Sequence, residues 1–243
     1  MNWLERTELL LGEEKLNRLK KANILVVGLG GVGAYVAEQL CRAGIGNMTI
    51  VDGDIVEASN RNRQLPALIS TTGKPKAEVL KQRFLDINPE LNLTIRNDYI
   101  QDEGILKLLN SKKYDYVVDA IDTLSPKVLL VYHTIQKGYN IISSMGAGGK
   151  TDPSKIMISD ISKTFNCRLA KVMRKRLSRM GVKKGLKVVF SSELADEDAV
   201  RLEESQNKKS TVGTISYMPP LFGCYIASVV IRDLIAGLDS KKQ

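Results

Sequence analysis

Residues 23–33 read Asn-Ile-Leu-Val-Val-Gly-Leu-Gly-Gly-Val-Gly, an apolar run that breaks at once into G-x-G-x-x-G. No other stretch limits the fold as much. Glycines at these positions allow a tight turn and a close backbone approach, and a following helix N-terminus attracts anionic phosphate oxygens. A helical pattern comes next, through Val36, Ala37, Leu40 and Cys41 to Gly44. The next strand, 48–51, ends at Asp52, 24 residues after Gly28. A carboxylate there accepts ribose hydroxyls. Gly28, Gly30, Gly33 and Asp52 are therefore expected to bind a nucleotide.

Further apolar runs at 93–96, 116–120, 140–143 and 156–159 read as strands. Helical patterns at 77–85, 104–109 and 128–136 alternate with them. Such alternation predicts an α/β fold: a Rossmann-like, mainly parallel sheet with helices on both faces. The C-terminal part, 211–217 followed by a helix from Leu221, is expected to extend the sheet. At 243 residues, with 43% hydrophobic and 26% charged, the chain fits one domain and excludes wholesale disorder, collagen and coiled coil. That domain divides into an N-terminal helical arm (1–22), a nucleotide-binding core (23–160), a basic and partly mobile insertion (161–210) and a C-terminal strand and helix (211–243). The mobile stretches are expected at 181–185 and 193–205.

Residues 1–17 show no apolar secretory core, and the apolar stripe 221–231 is too short to span a bilayer before Arg232 and Asp233. That stripe reads as buried core or dimer surface. Cys41, Cys167 and Cys224 are widely spaced with no CxxC, against a disulfide framework or a Cys-rich zinc site and in keeping with a reducing cytoplasm. Cys41 and Cys224 read as small core residues, and Cys167 as inert although Lys163 and Arg168 are near it in sequence. A single histidine, His133, reads as a packed or surface residue and leaves little room for histidine-based chemistry.

The residues after Asp52 argue against NAD. Asp54, Asn60, Arg61 and Arg63 come within eleven residues, then Lys76 heads a helix, and Asp119 and Asp122 lie around the end of the strand at 116–120. Hydride transfer has no use for several cations around the phosphates. Nucleotidyl transfer does, because negative charge develops on phosphoryl oxygens and on the leaving pyrophosphate. A carboxylate such as Asp122 can hold the magnesium that bridges phosphates.

The net charge of +9 is concentrated: residues 161–190 hold ten basic side chains and no acid, so the rest of the chain sums to −1. Lys163, Arg168, Lys171, Arg174, Lys175, Arg176, Arg179, Lys183 and Lys184 are candidates for neutralising a polyanion. Charge runs are as often plain solvated helix faces. On charge alone the two readings are even.

Gly-x-Gly-Gly-Val-Gly, then Asp-x-Asp-x-Val-x-x-Ser-Asn-x-x-Arg-Gln, then Lys76 and Asp122, resembles the ThiF/MoeB family, related to ubiquitin-activating enzymes. The resemblance implies adenylation of a carboxylate with ATP and Mg2+. It further implies Gly31 and Asp52 lining the nucleotide site, with Asp52 on the ribose, and Asn60, Arg63 and Lys76 on the phosphates. Asp122 would hold magnesium, and Arg6 would reach across a homodimer. Within that family, Ser144–Pro153 (SMGAGGKTDP), Asp160–Thr164 and Val189–Glu193 resemble the tRNA threonylcarbamoyladenosine dehydratases. This likeness implies tRNA as partner of the basic window, a cytoplasmic tRNA-modifying, cyclising ligase, and a family setting that admits a sulfur-transfer protein. Asn166-Cys167 departs from the family's Asp-Pro-like pair. The alternative within the family, adenylation of a ubiquitin-like sulfur carrier, usually comes with two zinc-binding CxxC pairs, which this chain lacks. An NAD dehydrogenase and a non-catalytic, nucleotide-gated RNA-binding module are further from the pattern.

Overall fold

The computed structural model describes residues 2–196, 198–202 and 210–236. Two short helices, α1 (Glu5–Leu11) and α2 (Glu13–Lys21), precede β1 (Asn23–Val27). Then come α3 (Gly33–Arg42), β2 (Asn47–Val51), α4 (Lys76–Ile87), β3 (Asn92–Arg96), α5 (Glu103–Ser111) and β4 (Tyr116–Asp119). The second half runs α6 (Leu124–Gln136), β5 (Asn140–Ser144), β6 (Ile156–Asp160), α7 (Arg168–Arg179), β7 (Lys187–Ser191), β8 (Val200–Leu202), β9 (Ser210–Val212) and α8 (Met218–Ile235).

Seven strands form one sheet in the order β3-β2-β1-β4-β5-β7-β6. All neighbours pair in parallel except β6, which runs antiparallel to β7. Both faces are covered, which is why β1 reads as an unbroken apolar run and not as an alternation. Its side chains still alternate: Ile24 and Val26 join the core beneath α3, α4 and α8, while Leu25 and Val27 join the core beneath α5, α6 and α7. The expected Rossmann-like architecture is present.

Two features differ from the sequence reading. Lys187–Ser191, assigned there to a basic insertion, is β7, a buried strand between β5 and β6. The second half therefore does extend the sheet, but through β7 and β6. The strand expected at 211–217 is reduced to β9, which pairs only with β8 in a separate hairpin. Of the stretch expected to be mobile, 193–205, residues 197 and 203–205 lie outside the described residues, as do 237–243 of the C-terminal part.

α8 is long and apolar enough to cross a membrane by length and composition. Here its Phe222, Ile226 and Val230 are buried against α3. Gly223 permits this approach: a Cβ there would stand 2.8 Å from the Val32 carbonyl oxygen. The charge that interrupts the apolar stripe is also satisfied, since Asp233 accepts from Tyr116 Oη at 2.8 Å and from Lys187 Nζ.

The chain passes from β1 outward to β2 and β3, then returns to the other side of β1 as β4. That reversal opens a crevice beyond the C-terminal ends of β1 and β4, where such sheets bind ligands.

Candidate active site

The glycine loop fills the bottom of the crevice. Gly28 has φ of +90°, and a Cβ on it would lie 2.6 Å from the Ala120 carbonyl oxygen; one on Gly33 would lie 1.8 Å from the Gly28 carbonyl oxygen. Both positions tie loop, helix and the β4 turn together. Gly30 has only Gln64 near it, at 3.9 Å, so its backbone is open to a ligand. At Gly31, expected to line the nucleotide, a Cβ would stand 2.9 Å from Pro219 at the start of α8, so a glycine lets the loop and α8 approach closely.

Asp52, just past β2, accepts from the Leu29 N–H at 2.5 Å and the Asp54 N–H at 2.7 Å. These bonds fix both carboxylate oxygens and leave lone pairs for ribose hydroxyls. Burial raises its pKa, opposed by Lys76 and by those two N–H groups. Asp54 holds Lys76, whose Nζ lies 2.7 Å from Oδ2, and Tyr99 donates to the other oxygen at 2.5 Å. That hydrogen bond, with some burial, pushes the Tyr99 phenol up to about 12. Lys76 is buried at the start of α4, so Asp54 compensates a cation that would otherwise be costly to desolvate.

Asn60 is buried and shapes the next turn: its Oδ1 accepts from the Glu57 N–H at 3.2 Å, and its carbonyl accepts from the Arg63 N–H at 3.1 Å. Arg63 is then steadied by the Ser59 carbonyl at 2.9 Å and Asn62 Oδ1 at 2.7 Å. Burial lowers its pKa, and Asp122 opposes the shift, which brings this cation and that carboxylate into one field. Asp122 lies just past β4, with Thr123 Oγ1 donating to its Oδ1 at 3.3 Å. No cluster of three or more His, Cys, Asp or Glu occurs among the described residues. A divalent ion here would have one carboxylate and otherwise phosphate oxygens and water, a donor set that suits magnesium.

Arg6 lies apart from this cluster, exposed on α1. Of the basic candidates, Lys163, Arg168, Lys171, Lys175, Arg176, Arg179, Lys183 and Lys184 are exposed. Arg174 is not: its guanidinium is turned inward onto the Thr164 carbonyl and hydroxyl, tying α7 to the preceding turn. Cys167 is buried at the N-cap position of α7, with no capping hydrogen bond from its side chain. Cys41 is buried, which pushes its thiol up to about 12, and burial likewise raises Cys224. His133 stacks edge-on against Tyr132. Sequence reasoning missed Tyr99 and Lys127, neither of which has a spacing signal.

Residues 4–242 match the ThiF family. The chain belongs to the ThiF family. Over its full length this ThiF-family chain is 38% identical to the Bacillus subtilis tRNA threonylcarbamoyladenosine dehydratase, covering 98% of that protein. Its fold matches the crystal structure of the Escherichia coli tRNA N6-threonylcarbamoyladenosine dehydratase in complex with ATP, with a TM-score of 0.88, 34% identity and coverage of 97% and 95% of the two chains. The AMP complex of the same enzyme matches with a TM-score of 0.87, at the same identity and coverage.

Proposed function

We propose that this ThiF-family protein catalyses the ATP-dependent cyclising dehydration of threonylcarbamoyladenosine in tRNA. The observation that carries the reading is the convergence of Asp52, Arg63, Asp54-braced Lys76 and Asp122 around an open glycine loop at the β1/β4 crevice. The relatives' activity and the full-length likeness support the choice of substrate. The threonyl carboxylate attacks the α-phosphorus of ATP, its oxygen forming the new P–O bond as pyrophosphate leaves. The carbamoyl group of the same side chain then attacks the activated carbonyl, loses a proton and expels AMP, which carries away the carboxylate oxygen. No enzyme nucleophile is needed, because the attack is intramolecular and gains from proximity.

In this reading Asp52 takes the ribose, Gly30 and the N-terminus of α3 take the phosphates, and Arg63 and Lys76 stabilise developing phosphoryl charge. Asn60 acts mainly by shaping the turn that presents Arg63. Asp122 would hold Mg2+, which supplies charge neutralisation on the phosphates when bound. The exposed cations of α7 and its flanks grip the tRNA backbone. A homodimer, with Arg6 reaching the partner's phosphates, is supported by Leu9 and Leu10, which stand largely exposed on α1. The free Cys41, Cys167 and Cys224 fit a cytoplasmic setting. The alternative, activation of a ubiquitin-like sulfur carrier, loses support from the missing CxxC pairs.

Asp122→Ala is expected to fold normally and to lose about 10²–10³-fold in the rate of ATP-dependent cyclisation, as removal of a transition-state charge partner does. Nucleoside mass analysis of treated tRNA measures it. Full cyclisation by the variant would refute the assignment.

A further inference from the structure

We propose that Lys127 is a positioning residue for Asp122: with Asp119 it fixes the peptide that carries the metal-holding carboxylate and sets its place relative to the glycine loop. The proposal rests on the metal-holding role proposed for Asp122.

Lys127 and Asp119 are wholly buried, with Nζ 2.8 Å from Oδ2. Asp119 is the last residue of β4, and Ser143 on the adjacent β5 also donates to its Oδ2 at 2.5 Å. Asp119 Oδ1 accepts from the Ile121 N–H at 3.1 Å, while Lys127 Nζ donates to the Ile121 carbonyl at 3.0 Å. One buried ion pair thus holds both polar ends of the residue just before Asp122. The same turn is the wall of the glycine loop, since the Cβ positions of Gly28 and Gly33 fall 2.6 Å from the Ala120 carbonyl oxygen and 3.0 Å from Ala120 Cβ. If this turn shifted, Asp122 and the phosphate loop would move against each other.

Two features argue against a purely stabilising role. Desolvating both charges offsets much of their attraction, and apolar residues of equal volume commonly replace such pairs without loss. Lys127 also lies in the first turn of α6, where the helix dipole disfavours a cation and no acid is present. Its position suits the Ile121 carbonyl, not the helix.

The test is the double variant Asp119→Asn/Lys127→Met. The carboxamide introduced at position 119 can still accept from Ile121 and meet Ser143, so no buried charge is stranded. ATP affinity is measured by calorimetry with and without Mg2+, together with the Mg2+ dependence of tRNA-dependent AMP release. The expected result is a folded protein with unchanged metal-free ATP affinity in which the Mg2+-dependent tightening falls about 10–100-fold, the usual effect of losing a residue that orients a ligand. A folded double variant with wild-type tightening and wild-type Mg2+ dependence overturns the proposal. If the double variant does not fold, Lys127→Arg decides by the same two readouts: it keeps a cation beside Asp119 but replaces the single ammonium shared by Asp119 and the Ile121 carbonyl with a longer, planar guanidinium that redirects the donors, and wild-type metal coupling contradicts the proposal. Wild-type protein whose ATP affinity ignores Mg2+ overturns the role of Asp122 itself, a failure seen before any variant is compared.

Discussion

At the scale of single residues, the chain keeps its buried charges where an adjoining group answers each of them. Lys76 is answered by Asp54, and Glu38 by Arg83 and Arg42. Glu38 on α3 takes Arg83 Nε and Nη2 of α4 at 2.5 and 2.9 Å and Arg42 Nε at 2.9 Å. Burial alone would raise its carboxyl; the hydrogen bonds from Arg83 and Arg42 outweigh it and leave the pKa lowered from 4.5. A carboxylate lowered in the folded state adds stability that is complete above its unfolded pKa and lost as pH falls through the folded one. Glu38→Gln is therefore expected to cost about 1–3 kcal/mol at neutral pH and to flatten the acid decline of stability below 4.5. Urea unfolding above and below that pH measures both. A variant with an unchanged acid decline would contradict the α3–α4 clasp. As candidates, Asp52, Arg63, Lys76 and Asp122 stand out in the sequence because their spacing from the glycine loop repeats a family pattern. Tyr99 was not: it meets Asp54 only because β3 lies beside β2, a contact between strands with no trace in local sequence.

At the scale of elements, α7 shows how composition can mislead and inform at once. Its buried Ala170, Met173 and Leu177 recur at helical spacing, while the exposed Lys171, Lys175 and Arg179 follow the opposite stripe. The charge run seen in the sequence is thus mostly one helix face. Reading charge over the whole window hid β7, where the apolar Val188, Val189 and Phe190 come after Lys187 and are fully buried. Arg174 was likewise indistinguishable from its neighbours until its partner Thr164 was seen. For the exposed stripe, Lys171→Glu/Lys175→Glu is expected to weaken tRNA binding by about 10-fold or more and to lower the slope of log affinity on log salt by about 1–2. Arg174→Met is expected to lower thermal stability with little change in that slope. Filter binding across a salt series separates them, and equal slopes for the charge-reversed and wild-type proteins would remove α7 from the tRNA interface.

At the scale of the whole molecule, a seven-stranded sheet brings three loop ends together: that after β1 with its glycines, that after β2 with Asp52 and Asp54, and that after β4 with Asp122. Fold class was legible because strand and helix patterns alternate and both faces of the sheet are covered. The order of the last strands was not, because β7 pairs between β5 and β6 out of sequence order. One part of the proposed site, Arg6, lies on the outlying α1. If it serves a neighbouring subunit, Arg6→Ala and Asp122→Ala proteins, each inactive alone, are expected to recover about a quarter of wild-type activity when mixed and allowed to exchange, since half the dimers are mixed and each has one complete site. No recovery on demonstrated subunit exchange would place Arg6 outside the shared site. Carboxylate activation tied to one modified nucleoside would show in the release of AMP and pyrophosphate from ATP and Mg2+. The assay compares tRNA bearing threonylcarbamoyladenosine with the same tRNA lacking it. Release is expected only with the modified tRNA, together with loss of one water from that nucleoside. Release with neither tRNA, but with a small protein ending in Gly-Gly, would contradict it.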